Sequence, residues 1–138
     1  MLENTVPKIK KFPTKGARRQ DQAHVIWVIL TSYVLFNKGK TITYGELAEL
    51  MGYESPQMGK NLAQALGIVS TYCLYNDLPP LSCIVVKRNS DIGWEGMIPE
   101  KSSLENEQKR VWNTDWHLYR TPTTATFRKV NENLTFND

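Results

Sequence analysis

Few side chains in this sequence are of types that do covalent chemistry, and their spacing narrows the set further. Cys73 and Cys83 lie in an apolar helical pattern and an apolar strand pattern, without the paired spacing of a zinc site or a disulfide framework. Both read as reduced, buried residues. A nucleophilic thiol needs its usual pKa of about 8.5 lowered by a neighbouring base or cation, whereas Cys83 is followed by Ile84. Ser82 lacks the strained, glycine-flanked turn that exposes a nucleophilic serine. Asp91, Glu95 and Glu100 sit in a polar loop with no histidine or lysine at fixed spacing, so they read as solvated carboxylates. With His24 and His117 far apart, no metal site is expected, and no cofactor either. Catalysis is not expected.

Recognition chemistry is better represented. Lys60, Asn61 and Gln64 occupy the leading turns of a helical pattern, and their types suit contact with nucleic acid. Asparagine and glutamine can pair bidentately with adenine, and lysine acts mainly through charge. Lys87 and Arg88 stand at the end of an apolar run, placed to hold phosphates. Trp94, in "GWEG", either stacks on a base or a partner's pocket, or folds back over the core.

These groups must be positioned by the elements around them. Residues 21–37 put Val25, Ile29, Ser32 and Phe36 on one stripe, widened by Trp27, Val28, Leu30 and Leu35, which predicts a long, largely buried first helix. Thr43 followed by Glu46 is a capping box for a short helix closed at Gly52. Ser55-Pro56 opens a third helix over 56–76, with Leu62, Ala65, Leu66, Val69, Cys73 and Leu74 at helical spacing. The β-branched run 81–87 predicts a buried strand, and 88–96 a polar loop with glycines. A further helix is expected over 103–115, capped by Ser103, with Trp112 and Trp116 packing onto the first helix. Beyond it the sequence is polar, and "ATFRKV" is the one candidate for an extra strand.

The expected fold is therefore α+β and mainly helical, a winged helix-turn-helix with a short strand and wing. Its domain spans 21–119, between a flexible basic arm (1–20) and a polar tail (120–138). At 138 residues and 41% hydrophobic content, the chain can build one packed core and is too short for two. In residues 1–20 six cations stand against Glu3, a balance of +5 that leaves −2 for the rest of a chain whose total is +3. Such an arm cannot order itself by apolar burial; it either lies along phosphates or serves only solubility. The run "VIWVIL" is too short to span a membrane and no secretory signal pattern opens the sequence, so a cytoplasmic protein without membrane association is expected.

The blocks "TYGELAELMG", "KNLAQALG", "NDLPPLSCIVV" and "DIGWEG" resemble the C-terminal domain of the alkylguanine-DNA alkyltransferases and the related alkyltransferase-like proteins, over roughly residues 41–97. The resemblance implies that Thr43 caps the first helix of the DNA-reading unit and that Tyr44 packs against the DNA backbone beside an extruded nucleotide. It places Lys60 where the family has an arginine that fills the gap in the base stack. Ala63 and Gln64 replace two glycines that let the helix sit deep in the minor groove. Leu81, Ser82, Cys83 and Ile84 stand where the family's reactive strand has Pro, Cys, His and Arg, so the Cys-His pair is missing. The segment "IVSTYCLYNDLPP" also lengthens the third helix ahead of that strand.

Losing the cysteine while keeping the helix-turn-helix is the character of the non-catalytic alkyltransferase-like group. The expectation is a non-catalytic binder of duplex DNA, reading modified or distorted DNA or serving as an accessory unit in repair, restriction or defence. Its contacts would be Thr43, Tyr44, Lys60, Asn61, Gln64, Lys87, Arg88 and Trp94. The alternative is a protein-interaction module on the same fold, using the Trp94 loop or the Trp112/Trp116 helix.

Overall fold

A computed structural model describes residues 5–55, 62–87, 98–99 and 101–134. Helix α1, Arg19–Phe36, is the axis of the fold and packs against α3 (Ala63–Tyr75) and α5 (Thr124–Leu134). Its buried side chains are Gln22, Ala23, Ile26, Trp27, Leu30 and Val34. The stripe expected to be inside was different. Val25 and Ile29 are only partly covered, and Ser32 and Phe36 are exposed. Because α1 is apolar on nearly every side, its periodicity does not say which side is turned inward; the bulk of Trp27 and the helices packed on it decide that.

Strand β1, Ile42–Thr43, pairs in parallel with β2, Val85–Val86, in the register Ile42 to Val85 and Thr43 to Val86. Thr43 then caps α2, Tyr44–Met51: its hydroxyl accepts the Glu46 N–H at 3.0 Å, and the Glu46 carboxylate accepts the Thr43 N–H at 3.0 Å. Both halves of the expected capping box are present. At the other end Gly52 adopts φ 101°, and the N–H groups of Gly52 and Tyr53 return to the carbonyls of Glu49 and Ala48. That closure needs a left-handed residue, which glycine supplies without a Cβ clash.

The described part of the third helix, α3, buries Ala65, Leu66, Ile68, Val69 and Cys73. Its expected start at Pro56 lies outside the described residues.

The expected strand over 81–87 is mostly a 3-10 turn, Leu81–Ile84, and only Val85 and Val86 pair as strand. The reason lies in where the backbone finds its partners. The Ser82 N–H donates to the buried Ser70 hydroxyl at 3.1 Å, and the Cys83 carbonyl accepts from Gln108 Nε2 at 2.8 Å. Side chains occupy positions that a neighbouring strand would otherwise fill.

Helix α4, Leu104–Trp112, is capped by Ser103 as expected but stops at Trp112, three residues short of the expected end. Trp116 follows in a 3-10 turn, Trp116–Leu118, and meets Trp27 edge to face at 5.6 Å. The largest correction concerns the C-terminal stretch. In place of a polar tail with a short strand, residues 124–134 form α5, and Phe127 is fully buried. Phe127 packs on Tyr72 at 5.6 Å and on Trp27 at 6.3 Å, while Val130 and Leu134 continue the same helical face. The packed unit therefore reaches residue 134, beyond the expected limit of 119. The molecule is mainly helical with one two-residue parallel ladder, an α+β architecture among the described residues. No described helix is long and apolar enough to cross a membrane.

Candidate nucleic-acid interface

Thr43 and Tyr44 lie where β1 turns into α2, so the capping box sets the direction in which Tyr44 leaves the backbone. Tyr44 is half-buried, and burial raises its phenol pKa. The hydroxyl thus stays protonated at neutral pH and can donate to an acceptor such as a phosphate oxygen. Behind it, the Tyr33 hydroxyl donates to the Thr41 carbonyl at 2.7 Å and fixes the approach to β1.

Gln64 stands in the first turn of α3 and is exposed. Its amide oxygen accepts Arg19 Nε at 2.7 Å; Arg19 Nη1 also donates to Gln22 Oε1 at 2.9 Å, and Gln22 Nε2 donates to the Tyr53 hydroxyl at 2.8 Å. This chain of side chains ties the start of α1 to the start of α3 and to the end of α2. Gln22 and Tyr53 are buried, so the outer pair stands on a fixed base. The arrangement also changes what Gln64 can read. An adenine contact needs both the amide oxygen and the amide N–H group, and here the oxygen is engaged with Arg19. What Gln64 then presents is its amide N–H group, a donor that matches phosphate oxygens and the acceptor atoms of base edges.

The basic arm runs beside this edge. Phe12 meets Tyr53 edge to face, with ring centroids 6.4 Å apart, and the Thr14 methyl lies over Gly52. Those two contacts lay the arm across the end of α2. Lys8, Lys10, Lys11, Lys15 and Arg18 are exposed along it. Sequence reading missed Phe12, Arg19, Gln22 and Tyr53 as a unit. The Arg19–Gln22 spacing of one helical turn was the local signal, but the link from Gln22 to Tyr53 spans 31 positions and leaves no periodic trace.

Of the other expected contacts, Lys87 is exposed directly after β2. Lys60, Asn61, Arg88 and Trp94 lie outside the described residues, as do Asp91, Glu95 and Glu100. Trp112 is partly buried, and its indole N–H donates to the Lys40 carbonyl at 3.1 Å. Trp116 is buried, with its N–H on the Val111 carbonyl at 2.9 Å. The tryptophan pair is thus engaged within the fold.

The turn that holds Ser82 and Cys83 is sealed. Ser82 is fully buried, and its hydroxyl is hydrogen-bonded to that of Ser70. Both cysteines are free and buried. Burial pushes the Cys73 thiol up to about 12. At Cys83 burial acts first, then the charge of Glu107 and then Cys73, all raising the thiol. Among the described residues no group of three His, Cys, Asp or Glu side chains could hold a metal ion.

Fold and site together define a mainly helical α+β domain in which a capped helix, a following helix and a cationic arm share one edge. No family model, no curated protein and no solved structure matches the chain.

Proposed function

We propose that this chain is a non-catalytic DNA-binding protein of winged-helix type, similar in character to the alkyltransferase-like proteins. Its ligand is duplex DNA, and it either recognises modified or distorted DNA or serves as an accessory unit in repair, restriction or defence. The observation that carries this reading is the placement of the arm. Phe12 on Tyr53 and Arg19 on Gln64 bring the cations of a strongly basic segment beside the end of α2 and the start of α3. The rest of the chain has a net charge of −2, so the electrostatic part of binding belongs to that edge. The non-catalytic part rests on Ser82 and Cys83, which are buried where a reactive thiolate would have to be exposed and acidic.

The test is fluorescence anisotropy with a short labelled duplex over a salt series. Neutralising Lys8, Lys10, Lys11 and Lys15 to glutamine should weaken binding and lower the slope of log affinity against log salt by about 0.9 for each phosphate left without its cation. Arg19→Met and Gln64→Ala should each weaken binding further with little change in helicity. Absence of duplex binding, or binding indifferent to all of these changes, would overturn the reading.

A further inference from the structure

The outer side of α1 is nearly as apolar as its buried side. With 3.6 residues per turn, Val28, Ser32, Leu35 and Phe36 fall opposite the buried Ile26, Leu30 and Val34. There Val28 is 43% exposed, Leu35 47% and Phe36 81%. Ser32 is exposed between them, and Val25 and Ile29 are partly covered at the margin. From Gln22 to Asn37 the sequence contains no lysine, arginine, aspartate or glutamate. A surface helix ordinarily carries charge on its solvent side, and this one does not. Beyond Leu35 the stripe ends at a shallow depression bordered by Lys38 and Asp115 together with Thr31, Trp112 and His117.

We propose that this face binds a second copy of the chain, the two α1 helices packing antiparallel about a two-fold axis at Ser32. Two observations point to a copy of itself as the occupant. First, the pattern is symmetric about Ser32, with Val28 and Phe36 equally spaced on either side and Ile29 and Leu35 likewise. A two-fold interface pairs each residue with its counterpart in both directions. Under this one Val28 faces Phe36 of the second copy, Ile29 faces its Leu35, and the small Ser32 meets itself where the backbones cross. Second, the charge matches. An uncharged stripe meets its copy without like-charge repulsion, whereas a charged partner would bury ions without counter-ions. The stripe lies on the side of α1 away from the core, and the Arg19–Gln64 edge stays open in each copy.

Sedimentation of the full chain over a concentration series tests this, and the expected result is a monomer–dimer equilibrium. Phe36→Asp and Val28→Asp should each raise the dimer dissociation constant at least tenfold with circular dichroism unchanged. Phe36 is at the exposed end of the helix, so replacing it removes little core. Ser32→Cys supplies a symmetric probe, because the native cysteines are buried. On mild oxidation it should form a disulfide-linked dimer several-fold faster than Glu49→Cys, whose site is exposed on α2. A monomer at every attainable concentration would overturn the proposal. So would a dimer insensitive to Phe36→Asp, or Ser32→Cys cross-linking no faster than the control. None of these readouts involves DNA, so the interface stands or falls separately from the binding function.

Discussion

A thiol reacts through its thiolate, and at Cys83 burial, the charge of Glu107 and the neighbouring Cys73 all oppose ionisation. Iodoacetamide should therefore leave the native chain unmodified over a time in which it labels both cysteines of the unfolded chain. Fast labelling of Cys83 in native protein, read by mass spectrometry, would contradict the buried assignment. The raised thiols also link stability to pH. The unfolded chain releases its thiol protons above about pH 8.5 while the folded chain retains them, so the native state binds more protons and stability falls as pH rises further. For Cys73 that fall continues until pH reaches its folded pKa of about 12. Cys73→Ala should make the alkaline loss of stability shallower, as denaturant titrations at pH 7 and pH 9.5 would show. Glu107 poses the opposite problem, since it is a fully buried carboxylate held by Arg110 Nη1 at 2.7 Å and the Ser102 hydroxyl at 2.7 Å. Arg110→Met leaves that carboxylate short of a partner and should cost about 1–3 kcal/mol. Lys109→Met removes only the exposed pair with Glu105 and should cost well under that.

At the scale of elements, α2 carries the strongest local signals. Thr43→Ala removes the cap and should destabilise the fold by about 1 kcal/mol in chemical denaturation, with Thr43→Ser close to neutral. A shift for Thr43→Ala no larger than for Thr43→Ser would mean that the cap contributes nothing. Everything that specifies this helix lies within it: Thr43, Glu46 and Gly52 meet through bonds to near neighbours, which is why the sequence shows it plainly. Residues 81–87 have the composition of a strand, but the groups that turn the chain into a 3-10 turn are Ser70 and Gln108, 12 and 25 positions away. No window of local sequence contains them. The same holds at the candidate interface. The cap at Thr43 and the exposed place of Gln64 were legible in the sequence. The bond from Arg19 that occupies the Gln64 amide oxygen spans 45 positions and was not.

For the whole molecule, the decisive contact joins the chain's distant halves. Trp27 on α1 packs against Tyr72 of α3, Trp116 and Phe127 of α5, and Tyr72 and Phe127 also touch each other. Composition made α5 look like a tail, because "TATFRKVNENL" is mostly polar and brings one large ring to the core. One ring is enough when a preformed aromatic pocket receives it, and Thr123 starts the helix by accepting the Thr126 N–H at 3.2 Å. Phe127→Ala should therefore cost about 3–5 kcal/mol, the range for emptying a packed aromatic site. Phe127→Leu keeps much of the volume and should cost considerably less. Denaturation midpoints, with helicity by circular dichroism, separate two outcomes. If α5 is integral, Phe127→Ala lowers the midpoint of the whole cooperative transition, because Trp27 and Tyr72 lose their cover together. If α5 is an appendage, helicity falls by about one helix while the midpoint stays where it was. The integral outcome also bears on the interface at the other end of the chain. Gln22, the buried member of the Arg19–Gln64 network, lies on the same helix as Trp27, so loosening α5 should weaken the footing of the proposed binding edge as well.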